Sequence, residues 1–152
     1  MVEQVASHAP ARAQPAPAGW SLLFASWLIA AAATLGTLFQ SEVMKLPPCE
    51  LCWYQRVFMF PLAIMLPLAL FPFDARIVRY ALPLALAGAA VAFYQLLLTW
   101  GVVPESIRPC TQGVPCSETQ WVWLGFITVP LIATLAFAAI SVLLMLVRRK
   151  NP

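Results

Sequence analysis

The chain has 152 residues, of which 62% are hydrophobic and 10% are charged, and its formal net charge is +3. A soluble globular domain carries roughly 25% charged residues, so this composition excludes a water-soluble fold and predicts an integral membrane protein. The positive charge comes mostly from clusters at the ends of apolar segments, which indicates membrane topology and gives no reason to expect nucleic-acid binding.

The segment at residues 1–19 comes before any apolar run and contains three prolines among small and polar residues. Such a composition cannot bury a core, so we predict a disordered cytoplasmic tail. A signal-peptide cleavage site follows its apolar run, whereas the small residues here precede it. The first apolar segment is therefore expected to remain as a membrane anchor.

Four apolar segments are long enough to cross a bilayer core of about 30 Å, which takes about 20 helical residues. They are predicted at residues 20–39, 53–71, 80–100 and 123–147. Because unpaired backbone groups are costly in hydrocarbon and no alternating strand pattern occurs, we expect helices. The predicted fold is all-α, an integral membrane four-helix bundle in one transmembrane domain (20–147) with a basic cytoplasmic tail (148–152).

A CxxC motif formed by Cys49 and Cys52 follows the first apolar segment. Two thiols at this spacing can cycle between a dithiol and a disulfide. Pro47 and Pro48 cannot continue a helix from upstream but tolerate its first turn, so the second helix is predicted to begin close to Cys49. A helix N-terminus and a nearby cation lower a thiol pKa from about 8.5 toward neutrality, which favours the thiolate that attacks a disulfide.

Arg56 stands at helical spacing from Cys49 and Cys52, which predicts that all three side chains share one helix face. At a rise of 1.5 Å per residue, Arg56 would lie about 6 Å deeper than Cys52. Its guanidinium can stabilise the Cys52 thiolate and donate hydrogen bonds to an acceptor such as a quinone carbonyl. The alternative is a snorkelling side chain whose head reaches the interface. Gln55 and Gln95 are further candidates for a quinone pocket, with helix–helix hydrogen bonding in lipid as their alternative.

A second pair, Cys110 and Cys116, follows the third apolar segment. Gly113 and Pro115 suit the turn that would bring the two Cα atoms to the ~5.5 Å of a disulfide. Closing so short a loop stabilises the fold by only ~2 kcal/mol in the chain-entropy model, so a redox-active disulfide is favoured over a structural staple. All four cysteines could also build a zinc site, but the CxxxxxC spacing is longer than zinc ligand pairs usually have, and no metal is predicted.

Basic residues collect at alternate ends of the apolar segments. One set of ends carries Arg12, Arg76, Arg79, Arg148, Arg149 and Lys150. The other set mixes basic with acidic residues, namely Lys45, Arg56, Arg108, Glu42, Glu50, Glu105 and Glu118. By the positive-inside rule both termini are predicted to be cytoplasmic. Both cysteine loops then face outward, into an oxidising compartment where disulfides persist.

The run PCELCWYQR at residues 48–56, the four spans, and a second cysteine pair ahead of GFITVP at residues 125–130 resemble the DsbB/BdbC family of disulfide bond formation proteins. The resemblance covers about residues 20–147. It implies a protein-dithiol:quinone oxidoreductase of the bacterial inner membrane with its cysteine loops on the periplasmic side. Such an enzyme reoxidises a thioredoxin-like, DsbA-like thiol oxidase outside the membrane and passes the electrons to ubiquinone or menaquinone, which sustains disulfide bond formation.

The resemblance also implies a role for each cysteine. Cys110 would be attacked by the thiolate of the partner, and Cys116 would then attack the disulfide between Cys49 and Cys52, at Cys49. Cys52 would be freed beside Arg56 for reaction with the quinone. The second pair is set more closely than in the best-known family member, so a populated disulfide between the two loops is left open.

Two alternatives stay open at this point. The first is a relative of vitamin K epoxide reductase, in which the catalytic CxxC would be expected near the end of a late helix, opposite to the order found here. The second is a non-enzymatic membrane scaffold with structural disulfides. Loss of turnover on substitution of Cys52 would separate an enzyme from a scaffold.

Overall fold

The computed structural model describes residues 17–103, 122–123 and 127–151. Four long helices occupy most of these residues: α1 (Pro17–Glu42), α2 (Glu50–Leu68), α3 (Val78–Thr99) and α4 (Val129–Lys150). A short 3-10 turn, Ala75–Ile77, leads into α3, and the two-residue strands β1 (Val122–Trp123) and β2 (Ile127–Thr128) pair antiparallel ahead of α4. Each of the four helices is long and apolar enough to cross a membrane. The predicted four-helix membrane architecture is confirmed.

The start of α2 agrees with the sequence-based prediction. The helix begins directly after Cys49, whose backbone is extended and whose sulfur accepts a hydrogen bond from the backbone N–H of Cys52 at 3.4 Å. A cysteine sulfur therefore occupies the capping position for which serine, threonine, aspartate and asparagine are preferred. The CxxC motif and the helix start are one local structure.

Two predicted spans extend three or more residues beyond the observed helix at one end, and a proline explains each difference. The fourth span was expected from Trp123, but that residue lies in β1, and α4 starts with Val129 because Pro130 fits only the first turn of a helix. The second span was expected to reach Phe71, but α2 ends at Leu68. Phe71 precedes a proline, and a residue in that position disfavours the helical conformation.

The helices pack in a ring, in which α1 contacts α2, α2 contacts α3, α3 contacts α4, and α4 returns to α1. The short connections after α1 and α2 make neighbouring helices antiparallel. One end of the bundle, here called the cysteine end, therefore gathers the C-terminal parts of α1 and α3 and the N-terminal parts of α2 and α4. One cavity at this end is lined by a residue from or beside each of these parts, namely Gln40, Cys49, Gln95 and Val129.

The core between the helices is built from small and aliphatic side chains. Its fully or almost fully buried members include Leu23, Ala30, Met59, Leu62, Leu66, Ala81, Ala85, Ala92, Phe137, Ile140, Leu144 and Val147. Large apolar side chains also point outward, among them Leu35, Phe39, Val57, Ile64, Leu68, Phe93, Leu135 and Val142. Outward aliphatic side chains along four helices of this length fit a lipid environment.

Candidate functional site

The sulfur atoms of Cys49 and Cys52 lie 2.6 Å apart, and both residues are free thiols in the structure. Cys49 is buried, with 7% of its surface exposed, and Cys52 is half-buried. The hydrogen bond with Cys52 and burial raise the pKa of the Cys49 thiol well above its ordinary value. The predicted lowering at a helix N-terminus is therefore wrong for Cys49, because the close second sulfur outweighs the helix end.

A carboxamide from α3 contacts this sulfur pair. The Nε2 of Gln95 donates a hydrogen bond to the sulfur of Cys49 at 3.2 Å and to that of Cys52 at 3.5 Å. The Nε2 of Gln55 donates in turn to the Oε1 of Gln95 at 2.5 Å. Gln55 and Gln95 therefore join α2 to α3 by the helix–helix hydrogen bond considered from the sequence, and both also line the cavity beside the sulfurs.

Arg56 lies on the cavity wall together with Cys49 and Cys52, so the three side chains share a helix face as their spacing predicts. The residue is buried, with 7% of its surface exposed. One guanidinium nitrogen donates to the Oγ of Ser41 at 3.3 Å and the other to the carbonyl oxygen of Thr37 at 2.8 Å. The head of this arginine is thus fixed to α1 inside the bundle.

A cavity of about 200 Å³ opens beside the sulfurs at the cysteine end. Its walls come from all four long helices and from the connection between α1 and α2. The lining residues are Ala33, Gly36, Thr37, Gln40, Leu46, Pro47, Pro48, Cys49, Cys52, Gln55, Arg56, Met59, Gln95, Val129, Pro130, Ile132, Ala133, Ala136 and Phe137. Most of this lining is apolar, and its polar side chains, apart from the two cysteines, are Thr37, Gln40, Gln55, Arg56 and Gln95. The cavity can hold a flat apolar ring with a few hydrogen-bond acceptors.

Cys110 and Cys116 lie outside the described residues. The segment that carries them connects the C-terminal end of α3 to the strands ahead of α4. The C-terminal part of α3 and the N-terminal part of α4 both belong to the cysteine end of the bundle.

Comparison with known proteins identifies the family. The family described as "Disulfide bond formation protein DsbB" matches residues 19–147, a range that includes all four cysteines. The chain belongs to the DsbB family. No solved structure matches it.

Three similar relatives of this DsbB-family chain carry matching names. A "Probable disulfide formation protein" of Metapseudomonas resinovorans is 45% identical over 91% of this chain and 96% of its own length. "Disulfide bond formation protein C" of Bacillus subtilis is 44% identical over 83% of this chain and 91% of its own. A "Probable disulfide formation protein" of Deinococcus radiodurans is 42% identical over 84% of this chain and 89% of its own length. The chain is a disulfide formation protein, and its membrane-length helices and cysteine pair fit a disulfide-generating oxidoreductase.

The DsbB-family site also contains residues that the sequence analysis missed, most of them on α1 and α4. On α1, Gly36, Thr37 and Gln40 line the cavity, and Thr37 also accepts a hydrogen bond from Arg56. The sequence could have indicated this face of α1. Thr37, Gln40 and Ser41 are polar side chains at helical spacing in an otherwise apolar span, where polar groups usually face other helices. On α4, Ile132 and Ala133 complete the wall, and nothing in their local sequence distinguishes them from lipid-facing residues.

Proposed function

We propose that this DsbB-family chain is a protein-dithiol:quinone oxidoreductase that reoxidises an extracytoplasmic, thioredoxin-like thiol oxidase and passes the electrons to a membrane quinone. One observation carries the proposal: a pair of adjacent sulfurs and a buried arginine line the same apolar cavity within a membrane bundle. The sulfurs supply a two-electron couple. The cavity supplies a place for an apolar electron acceptor next to it.

The residues around the cavity fit a quinone headgroup. A cavity of about 200 Å³ is smaller than the roughly 300–1,000 Å³ of a typical ligand pocket, so it would take the ring and leave an isoprenoid tail in the lipid. Arg56 is the best donor to a quinone carbonyl, because a guanidinium has about five N–H groups and the bonds to Ser41 and Thr37 use only part of them. When bound, ubiquinone or menaquinone would accept two electrons and two protons and leave as the quinol.

The four cysteines would act as two successive dithiol couples. The partner's thiolate attacks Cys110 of a Cys110–Cys116 disulfide, and the partner's second thiol resolves the mixed disulfide, so the partner leaves oxidised and both cysteines are reduced. Cys116 then attacks Cys49, which releases Cys52. Cys110 displaces Cys49 and restores its own disulfide, so two electrons and two protons now reside on Cys49 and Cys52. A sulfur of high thiol pKa leaves slowly, so the raised pKa of Cys49 favours attack at Cys49 with Cys52 as the leaving sulfur.

The proposal is tested by quinone reduction with two different electron donors. The purified chain in detergent is supplied with a soluble ubiquinone or menaquinone analogue and with either a reduced thioredoxin-like protein or the small dithiol dithiothreitol. The unaltered chain should turn over with both donors. Cys52→Ser should abolish both activities, because the couple next to the cavity is lost.

Cys110→Ser is the matched variant for this experiment. It should abolish turnover with the thioredoxin-like protein but keep turnover with dithiothreitol, which can reduce Cys49 and Cys52 directly. If the unaltered chain reduces neither quinone analogue with either donor, the oxidoreductase proposal fails and a scaffold with structural disulfides takes its place. If Cys52→Ser retains turnover, the assignment of this pair is wrong.

A further inference from the structure

A single side chain, Gln95, contacts both sulfurs of the CxxC motif. Its Nε2 lies 3.2 Å from the sulfur of Cys49 and 3.5 Å from the sulfur of Cys52. Gln95 is on α3, whereas both cysteines are at the start of α2. The contact therefore crosses a helix interface and depends on how these two helices pack.

The chemistry of the carboxamide matches this arrangement. A glutamine Nε2 carries two N–H donors, and two sulfurs stand within reach of them. The Oε1 on the other branch accepts the hydrogen bond from Gln55. If the carboxamide of Gln95 were rotated by 180°, its Oε1 would face the sulfurs without a hydrogen to donate, and its Nε2 would face the Nε2 of Gln55, which is also a donor. The hydrogen bond from Gln55 therefore fixes the orientation in which the Nε2 of Gln95 faces the cysteines.

Burial makes the orientation persistent. Gln95 has 4% of its surface exposed and Gln55 has 9%, so water cannot readily replace the partners of either amide. A buried donor that loses its acceptor carries a desolvation penalty. The Gln55–Gln95 pair is therefore held in one arrangement, with its donors turned toward the sulfurs.

We propose that Gln95 stabilises the reduced form of the Cys49–Cys52 couple by donating a hydrogen bond to each sulfur, and that Gln55 is the positioning residue that holds it there. The inference rests on the proposed redox role of this pair. Reduction breaks the Cys49–Cys52 bond and adds two electrons and two protons, taken from the Cys110–Cys116 dithiol as it closes into a disulfide. When one of these protons passes to the solvent, one of the two sulfurs is left as a thiolate. Hydrogen bonds to an ionised sulfur are stronger than those to a neutral disulfide sulfur, so Gln95 favours reduction.

This role differs from quinone binding, for which Gln55 and Gln95 were candidates from the sequence. The Nε2 of Gln95 is directed at sulfur, and that of Gln55 is directed at Gln95. Gln95 then acts on the reacting sulfur atoms. It tunes how easily the couple accepts electrons from the second cysteine pair.

The test is a redox titration of the full chain in detergent, with Cys110→Ser and Cys116→Ser present so that only one couple titrates. The protein is equilibrated at a series of glutathione ratios, where two reduced glutathiones become one glutathione disulfide as the Cys49–Cys52 bond opens. Thiols are then trapped with a polyethylene-glycol maleimide, and the reduced fraction is read by gel shift. Gln95→Met, which keeps the length of the side chain and removes both donors, should lower the equilibrium constant for reduction about tenfold, or about 30 mV for a two-electron couple.

Two further variants separate a specific effect from general damage to the bundle. Gln55→Met removes only the hydrogen bond that orients Gln95 and should lower the equilibrium constant for reduction less, by about threefold. Thr99→Val alters a polar residue one helical turn further along α3 that hydrogen-bonds the carbonyl of Leu96 in its own helix. This control should leave the equilibrium constant within about twofold of the parent value, because the hydroxyl of Thr99 donates within its own helix and valine has nearly the same shape as threonine.

Gln95→Glu is the second variant at the same position, for the case that Gln95→Met does not fold. It keeps the size of the side chain, and its carboxylate cannot donate, so it should lower the equilibrium constant at least as far. A constant within twofold of the parent in the Gln95 variant that folds would overturn the proposal. An equal fall in Thr99→Val would overturn it too. Because the titration contains no quinone and no partner protein, its outcome is independent of the quinone-reduction assay.

Discussion

At the scale of single residues, Arg56 shows how the fold places a cation inside an apolar bundle. An unpaired charge in the membrane interior costs several kcal/mol. The guanidinium is compensated by hydrogen bonds to Ser41 and Thr37 of α1 and by the ring of Trp53, whose centroid lies 5.3 Å away. Such a cation over an indole ring is favourable by about 1 kcal/mol or more when water is excluded. The charge is thereby fixed on the wall of the cavity that contains the sulfurs.

This placement predicts the effect of replacing Arg56. Arg56→Met should lower kcat/KM for a soluble quinone analogue on the order of 100-fold, because a preorganised donor to developing negative charge contributes roughly that much. Arg56→Lys should recover only part of the loss, since one ammonium cannot reproduce the planar fork. Ser41→Ala removes one hydrogen-bond acceptor of Arg56 and keeps the guanidinium charge, so it should lower kcat/KM by less than about fivefold. Steady-state quinone reduction with dithiothreitol measures all three, and an unimpaired Arg56→Met would refute the role.

The same residues show what local sequence can and cannot predict about the site. The spacing of Cys49, Cys52 and Arg56 fixes their common face whatever the rest of the chain does, and the structure agrees. The contact of Gln95 with the sulfurs depends on the rotation of α3 against α2, which no local pattern encodes. Thr37 is a similar case, because its role as an acceptor for Arg56 requires α1 to pack against the first turns of α2.

At the scale of helices, the packing of α3 on α4 is closest at Gly88. A Cβ atom built at Gly88 would overlap the ring of Phe137, which is fully buried. The glycine therefore lets an aromatic side chain of α4 lie directly on the backbone of α3. Small residues allow this kind of close approach between membrane helices, where packing replaces the hydrophobic effect as the driving force.

Gly88→Ala is accordingly predicted to destabilise the bundle by about 1–3 kcal/mol through overpacking. Gly36→Ala is the matched control, because a Cβ there would have nothing within 4 Å, and alanine is the better helix former by about 1 kcal/mol. Thermal unfolding in detergent should thus give a lower midpoint for the first variant and an equal or higher one for the second. Adding Phe137→Leu should restore part of the loss in Gly88→Ala. Equal midpoints for the two alanine variants would contradict this account of the interface.

Hydropathy predicts the number of helices but not where they begin and end. Apolar length predicted four spans, and four helices of membrane length are present. Hydropathy continues through Trp123 and Phe71, however, although neither residue is helical. Backbone geometry at Pro130 and Pro72 decides those ends, so the prolines predict them better than hydropathy does.

At the scale of the whole molecule, the two ends of the bundle differ in charge. At the end opposite the cavity, Gly19 of α1 lies close to Phe73 and to Asn151, so the start of α1, the α2–α3 connection and the end of α4 meet there. The described basic residues at this end are Arg76, Arg79, Arg148, Arg149 and Lys150. The cysteine end instead combines Lys45 and Arg56 with Glu42 and Glu50. By the positive-inside rule, the basic end is proposed to be cytoplasmic and the cysteine end extracytoplasmic.

Thiol labelling in spheroplasts tests this orientation. One chain keeps only Cys116, with the other three cysteines changed to serine, and a second chain has all four changed and carries Ala75→Cys in the α2–α3 connection. A membrane-impermeant maleimide should label the first chain in intact spheroplasts and the second only after the membrane is opened. The reverse pattern would place the cysteine end in the reducing cytosol, where disulfides do not persist. A thiol oxidase outside the membrane could then not reach the second cysteine pair, so the proposed electron relay requires the first pattern.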